Sequence, residues 1–182
     1  EIYAELTYGG KDHFSIASLP GMKERCIYVN GFSKAFAMTG WRLGYAMAPQ
    51  AIMQQMVKIH QYCIMSSPTI SQYAAIYAMT SGDAETQMMR ASYDRRRKYL
   101  MRRFSEMGIP CFEPKGAFYM FPNIQEFGMT SEAFVLELLK RKQVAAVPGS
   151  AFGACGEGFL RISYAYSLDD LRLAFARIEA FV

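Results

Sequence analysis

Histidine is scarce in this chain of 182 residues, which holds only His13 and His60, and its four cysteines are scattered without a CxxC pair. Neither histidine has partners at metal-ligand spacing, so both read as packing or surface residues and no metal centre is expected. Cys26, Cys63, Cys111 and Cys155 read as reduced thiols of a cytoplasmic protein rather than as a disulfide framework. No apolar run approaches the roughly 20 residues that a membrane helix needs, and no basic-then-apolar leader pattern opens the chain. Charge of one sign is also in short supply: a net +4 gives little reason to invoke nucleic acid or an anionic membrane. The basic run Arg95–Lys98, with Arg102 and Arg103 behind it, spreads over more than one helix face and has no aromatic stacking platform. With Asp94 and Glu106 nearby, it reads as a solvated helix with a few ion pairs. Apolar side chains, in contrast, make up 52% of the residues, enough to build a real core in one large domain or parts of two. The 13 methionines read as filler of that core.

The most informative string is SKAFAMTGWR, Ser33 to Arg42, which sets a lysine and an arginine on either side of a small-residue turn. An amine forms an imine readily only when it is held partly out of water and partly unprotonated. Lys34 follows the β-branched run Cys26 to Asn30, which predicts a buried strand, so it falls on the loop at that strand's end, where ligands of open α/β sheets collect. Thr39 and Gly40 then turn the chain into a second strand-like run, Trp41 to Ala48, which carries Arg42. A guanidinium grips phosphate bidentately, which a second lysine does less well. A solvated lysine and a surface arginine are the bland alternative for such a pair taken alone.

The fuller string GFSKAFAMTGWRLGY, Gly31 to Tyr45, resembles the lysine motif of the class I/II aminotransferases, pyridoxal-phosphate enzymes of fold type I. Four more segments match that family in order: EIYAELTY (Glu1–Tyr8), PKGAFYMF (Pro114–Phe121), VPGSAFG (Val147–Gly153) and GFLRISYA (Gly158–Ala165). ELTY, KIHQY, FGMTS and GEGF are similar to segments of bacterial aromatic and N-acetyl-L,L-diaminopimelate aminotransferases.

The resemblance implies an α/β fold made of the C-terminal part of a large cofactor-binding domain (residues 1–82), a linking helix (83–108) and a small C-terminal α/β domain (109–182). It implies a transaminase that moves an amino group between an amino acid (aromatic, aspartate-like or N-acetyl-diaminopimelate) and a 2-oxo acid, as a cytoplasmic homodimer. Lys34 would hold pyridoxal 5'-phosphate as an imine and then move the proton. Arg42 would bind its phosphate, Tyr3 would hydrogen-bond its ring oxygen, and Arg161 would bind the substrate α-carboxylate. An unpaired, half-buried guanidinium on a strand is costly, which argues for a role at Arg161.

Many relatives carry a serine where this chain has Gly31; either Ser33 takes over that phosphate contact or the contact is lost, although a glycine still has a backbone N–H to offer. The family's pyridine-binding aspartate falls just before Glu1, so the chain resembles the C-terminal half of an enzyme. A β-lyase or decarboxylase of the same fold and a structural fragment without activity are the alternatives. His60 to Pro68 matches a loop that reaches toward the neighbouring subunit in the family; equally, Ser66 and Ser67 would simply cap the next helix.

Periodicity fills in the remainder. Pro49 opens a helix with a stripe of Ile52, Met56, Ile59 and Cys63, and a second begins after Pro68 with Ile70, Ala74 and Tyr77 or Ala78 inward. Asp83 caps a long helix to about Met107, ended by Gly108, with Met88, Tyr99 and Phe104 inward. Strands are expected over Cys111–Glu113, Ala117–Phe121, Val144–Val147 and Phe159–Ser163, and helices over Ser131–Arg141 and Ser167–Phe181. The last has an S-x-x-D capping box at Ser167 and an apolar face of Leu171, Phe175, Ile178 and Val182.

Overall fold

In the computed structural model, which describes residues 1–182, the first β-branched run forms β1 (Tyr28–Gly31). It pairs antiparallel with β2 (Gly44–Met47), Val29 opposite Ala46 and Gly31 opposite Gly44. This ribbon has only two strands, and Ile27, Val29 and Met47 are all more than half exposed, so nothing within this chain covers the side chains that the composition of β1 suggests are buried. Burial on both faces requires a covering layer on each. The second strand starts later than expected because Thr39–Trp41 forms a 3₁₀ turn and Arg42 adopts a left-handed φ of 52°.

Between the two strands lies one helical turn, α1 (Phe32–Ala35), and after them come α2 (Gln50–Cys63) and α3 (Thr69–Ser81). α2 has no fully buried residue: of its expected stripe Met56 is half-buried, while Ile52, Ile59 and Cys63 are exposed. α3 buries Ala78 as expected and half-buries Ala74, but it is otherwise turned: Ser71 and Ala75 are buried while Ile70 and Tyr77 are exposed. The Ser71 hydroxyl donates to the Trp41 carbonyl at 2.8 Å, and the small side chains of Ala75 and Ala78 let the helix close on Phe32 and Met38. Backbone approach and one hydrogen bond here outweigh the size of the apolar side chains. Neither Ser66 nor Ser67 caps α3, whose cap position is Pro68 and carries no side-chain bond.

α4 (Asp83–Glu106) is the long helix, stopped by Gly108 at φ 70° with the Ile109 N–H donating back to the Phe104 carbonyl at 2.9 Å. Phe104 is buried as expected, but Met88 is exposed. The chain divides into two compact units, Glu1–Arg90 and Ala91–Val182, and the division falls inside α4.

In the second unit, β3 (Tyr119–Met120), α5 (Ser131–Lys142), β4 (Val147–Pro148), β5 (Leu160–Ser163) and α6 (Leu168–Glu179) follow in order. β5 is the middle strand of an antiparallel sheet ordered β3-β5-β4. The expected strand Cys111–Glu113 reduces to one bridge between Cys111 and Pro122, since Pro110 and Pro114 on either side lack the N–H that a ladder needs. Thr130 caps α5 and Ser167 caps α6, each side-chain oxygen accepting from the backbone N–H three residues on, at 3.2 and 3.1 Å. Leu171, Phe175 and Ile178 are buried, with the Phe104 ring edge-on to Phe175 at 4.9 Å. Val182 lies beyond the helix end and is exposed.

The basic run of α4 is not wholly solvated. Arg97 is 4% exposed and its guanidinium is held by Asp94 at 2.8 Å and Glu113 at 2.6 Å. An arginine can enter the core only with its charge compensated, and these two carboxylates supply that.

Candidate active site

The loop between β1 and β2 is tied shut at its neck, where the Phe32 N–H donates to the Leu43 carbonyl at 3.3 Å. Phe32 begins α1, whose third residue is Lys34; the Phe36 and Met38 N–H groups both return to the Phe32 carbonyl. Three hydroxyls then fix the loop. Thr39 Oγ1 donates to the Ser33 carbonyl at 3.0 Å, Ser71 holds Trp41, and buried Thr86 from α4 donates to the Ala35 carbonyl at 3.3 Å. Of these, the hydroxyls of Ser71 and Thr86 do not stand out in the sequence, because each acts on a backbone carbonyl that only the folded loop brings near it.

Lys34 and Ser33 are half-buried, and Arg42 is exposed. One arm of the Arg42 guanidinium, Nη1, donates to the Thr39 carbonyl at 2.8 Å, so Thr39 links the segment that carries the lysine to the arginine. The left-handed backbone at Arg42 costs about 1–2 kcal/mol for a residue with a Cβ, and such conformations persist where surrounding contacts over-determine them. Here the 3₁₀ turn before it and the β2 ladder after it do so.

Tyr3 lies in the turn Glu1–Glu5, and that turn is docked beside β1. The Glu1 amino group donates to the Val29 carbonyl at 2.7 Å, and Ile2 Cδ1 sits 3.3 Å from where a Cβ on Gly31 would be. Gly31 itself is close-packed rather than open, since that same Cβ would also lie 3.3 Å from the Leu43 carbonyl oxygen. Its N–H donates to Asn30 Oδ1 at 2.7 Å, so Gly31 offers an anion neither a hydroxyl nor a free amide. The sequence leaves that amide available; the neighbouring asparagine takes it. Ser33 therefore remains the one hydroxyl of the pair.

The donor set on this loop, one amine, one guanidinium and one hydroxyl, has the chemistry to hold an aldehyde that also carries a phosphate. The cavity beside the loop, about 290 Å³, is lined by Ala35, Phe36, Trp41, Ala78 and Thr86 among others, and includes neither Lys34 nor Arg42. An enclosed site needs more walls than the loop supplies.

Arg161 belongs to the second unit, on β5, half-buried. Its guanidinium carbon stands 4.6 Å from the Tyr119 ring centre and 4.9 Å from that of Phe152, and no carboxylate of the chain pairs with it. The sequence motifs contain Tyr119 and Phe152, but which side of the sheet they share with Arg161 depends on a register that the motifs do not state.

Comparison with known proteins gives a consistent picture. The family model for aminotransferase class I and II matches residues 1–178. The chain is 50% identical over 182 residues to a putative aminotransferase, YugH, of Bacillus subtilis, covering all of this chain and 47% of the relative. An aspartate aminotransferase of Pyrococcus abyssi is 50% identical over 98% of this chain and 46% of its own length. The crystal structure of an aromatic aminotransferase from Pyrococcus horikoshii superposes with a TM-score of 0.95 at 49% identity, covering 99% of this chain and 48% of that one. The chain thus spans about half the length of the curated relatives it matches.

Proposed function

Because this chain belongs to the class I and II aminotransferases and carries the fold type I architecture of that family, we propose that the protein it forms, or forms part of, is a pyridoxal-phosphate-dependent transaminase acting on an amino acid and a 2-oxo acid. The observation that carries this reading is the tied loop of Phe32–Leu43, which holds Lys34 and Arg42 on one pinned segment.

The family implies pyridoxal phosphate as cofactor. When bound, it supplies an aldehyde carbon and an electron-withdrawing ring that accepts the electrons of the substrate's broken Cα–H bond. Lys34 Nζ takes the proton from the substrate α-carbon and returns one on the other side of the reaction. Its place on a half-buried turn limits its contact with water. Arg42 holds the phosphate with the arms of the guanidinium that Thr39 leaves unused, and the Ser33 hydroxyl is the second phosphate donor. Tyr3 donates its phenol to the ring oxygen. Arg161 receives the substrate α-carboxylate, which fixes one end of the molecule undergoing proton transfer.

The same proposal assigns residues 1–82 to a cofactor domain, 83–108 to a linking helix and 109–182 to a small domain; a boundary between units inside α4 supports it. A homodimer is proposed with it, supported by the uncovered apolar side chains of α2 and α3, including Ile59, Tyr62, Ile70 and Tyr73. No helix is long and apolar enough to cross a membrane. A cytoplasmic location is proposed from the four unpaired cysteines. Aspartate, aromatic amino acids and N-acetyl-LL-diaminopimelate are named for relatives at 50%, 46% and 45% identity, and all three stand as candidate substrates.

The test is Lys34→Ala in the complete protein. Transamination is expected to vanish while the circular dichroism spectrum is retained, and borohydride reduction of wild-type protein with pyridoxal phosphate is expected to attach the pyridoxyl group to Lys34 by peptide mass mapping. Normal turnover in the variant overturns the assignment. Pyruvate and ammonia released from a single amino acid, with no new amino acid formed, would make the enzyme a β-lyase instead.

A further inference from the structure

One face of the second unit's sheet is arranged around a single cation. Tyr119 pairs with Ser163 and Val147 with Arg161, so Tyr119, Arg161 and Ser163 rise from one face while Met120, Leu160 and Ile162 take the other. Arg161 stands on the middle strand. Tyr119 comes from β3 on one side of it, and Phe152 from the turn that follows β4 on the other. Both rings reach the guanidinium, at 4.6 and 4.9 Å. Phe152 is itself backed by Phe121 at 6.1 Å, and Phe121 stacks on Phe159 at 5.3 Å with an interplanar angle of 13°.

Among the other arginines of this unit, Arg97, Arg103 and Arg172 are each ion-paired and Arg96 and Arg141 each lie over one ring, whereas Arg161 meets two rings and no carboxylate. Rings attract the cation but accept no strong hydrogen bond from its N–H groups, so the in-plane donors stay available for a ligand. Ring contact also removes rotamer freedom before binding, which leaves less to lose when a carboxylate arrives. A bidentate pair requires the carboxylate to lie in the guanidinium plane; whatever fixes that plane fixes the carboxylate.

We propose that Tyr119 and Phe152 are positioning residues that hold the Arg161 guanidinium from two sides, so that its free edge takes the α-carboxylate of amino acid and 2-oxo acid in one orientation. This rests on the role given to Arg161 above. The rings act through Arg161 and select orientation rather than side-chain identity, so amino acid and 2-oxo acid are affected alike.

Kinetics of the complete enzyme provide one arm of the test. Tyr119→Leu and Phe152→Leu are each expected to raise KM for the amino acid and for the 2-oxo acid by about tenfold, more than kcat falls. Tyr119→Phe and Phe152→Tyr, which restore a ring, are expected to stay within about twofold of wild type on the same scale. Borohydride labelling of Lys34 is expected to be unchanged in all four. The second arm needs no turnover: the Nε–Hε resonance of Arg161 in the 182-residue chain should be ring-current shifted, and the shift should disappear in either leucine variant while the backbone amides of the unit hold their positions. Wild-type KM values in both leucine variants, or an Arg161 resonance at the ordinary arginine position in wild type, overturns the proposal. If the wild-type enzyme does not transaminate at all, the functional reading falls, and the arginine resonance alone decides whether the rings hold the guanidinium.

Discussion

Gly149 and Gly156 approach each other so closely that neither has room for a methyl group, and the cost of adding one can be worked out. A Cβ on Gly149 would lie 2.0 Å from the Gly156 carbonyl oxygen and 2.7 Å from that of Phe159. Both obstacles are backbone, so no side chain can rotate away, and relief requires about an ångström of main-chain movement. The Gly149 N–H donates to that same Phe159 carbonyl at 2.8 Å, so the movement stretches a hydrogen bond next to β5. Overpacking costs about 1–3 kcal/mol and an abandoned buried hydrogen bond about 1–3 more. Gly149→Ala is therefore expected to destabilise the second unit by roughly 3–5 kcal/mol, a large share of a domain's usual ~5–15. For a unit of this size that lowers the melting midpoint by roughly 12 °C or more. Circular dichroism reports both units, while Trp41, the single tryptophan, reports the first by fluorescence; the drop should appear in the former and not the latter. Gly40→Ala, with open space around its Cβ position, is the control, and its effect should stay within about 0.5 kcal/mol. A Gly149→Ala midpoint equal to that of Gly40→Ala would refute the close approach.

Arg97→Met should destabilise by about 1–2 kcal/mol in urea; removal of one partner from a buried pair costs more, but Asp94 keeps Lys98 at 2.7 Å and Glu113 is half-exposed. Glu113 is held down to about 2 by Lys115 and Arg97, from an ordinary 4.5. A depressed carboxyl contributes its stability above the ordinary value and loses it as pH falls between 4.5 and about 2, so the urea midpoint should decline across that window and Glu113→Gln should flatten the decline. Glu157 behaves with the same sign, its carboxylate held low by the Ser131 N–H and hydroxyl at the start of α5. Thr86→Val removes the buried hydroxyl that ties α4 to the lysine loop, and is expected to cost about 1 kcal/mol in urea and to weaken pyridoxal-phosphate labelling of Lys34.

What the sequence made legible was local. The capping box at Ser167, the glycine stop at Gly108 and the face of Leu171, Phe175 and Ile178 each follow from a pattern within one element, and each is present. Periodicity failed where burial was decided by another element. On α3 the largest apolar residues, Ile70 and Tyr77, face outward because a serine hydroxyl and two alanines face the lysine loop. On α2 the stripe is real in the sequence but only Met56 of it is half-buried in the chain, and amphipathic spacing says nothing about how much partner surface is present. At the candidate site, SKAFAMTGWR marks the amine and the guanidinium. The hydroxyls of Ser71 and Thr86 that set the loop's shape sit far along the chain and carry no motif of their own.

The arginines show where the limit lies. By composition, Arg42, Arg97 and Arg161 are the same residue, and a sequence reading gives each a charge in search of an anion. The run that holds Arg97 reads as a solvated helix with a few ion pairs, because it spreads over more than one face with Asp94 and Glu106 nearby. Arg97 is instead the most buried of the three, and two carboxylates saturate it, one of them sixteen residues away beyond the end of the helix. A guanidinium so satisfied has no donor to offer a ligand, and its removal affects stability. Arg161 has the opposite environment: partly shielded from water, approached by two rings, and with no carboxylate of its own. Burial without compensation is unfavourable in the free protein. An anion that completes the site recovers that cost, so the same desolvation that destabilises the unliganded chain strengthens binding of a carboxylate. Arg42 lies between these cases, with one arm spent on Thr39 and the remainder facing solvent. The state of the in-plane donors therefore separates an arginine saturated by the protein from one with donors left to offer, and that state is fixed by β5 register and by the fold of the lysine loop rather than by the identity of nearby residues in sequence.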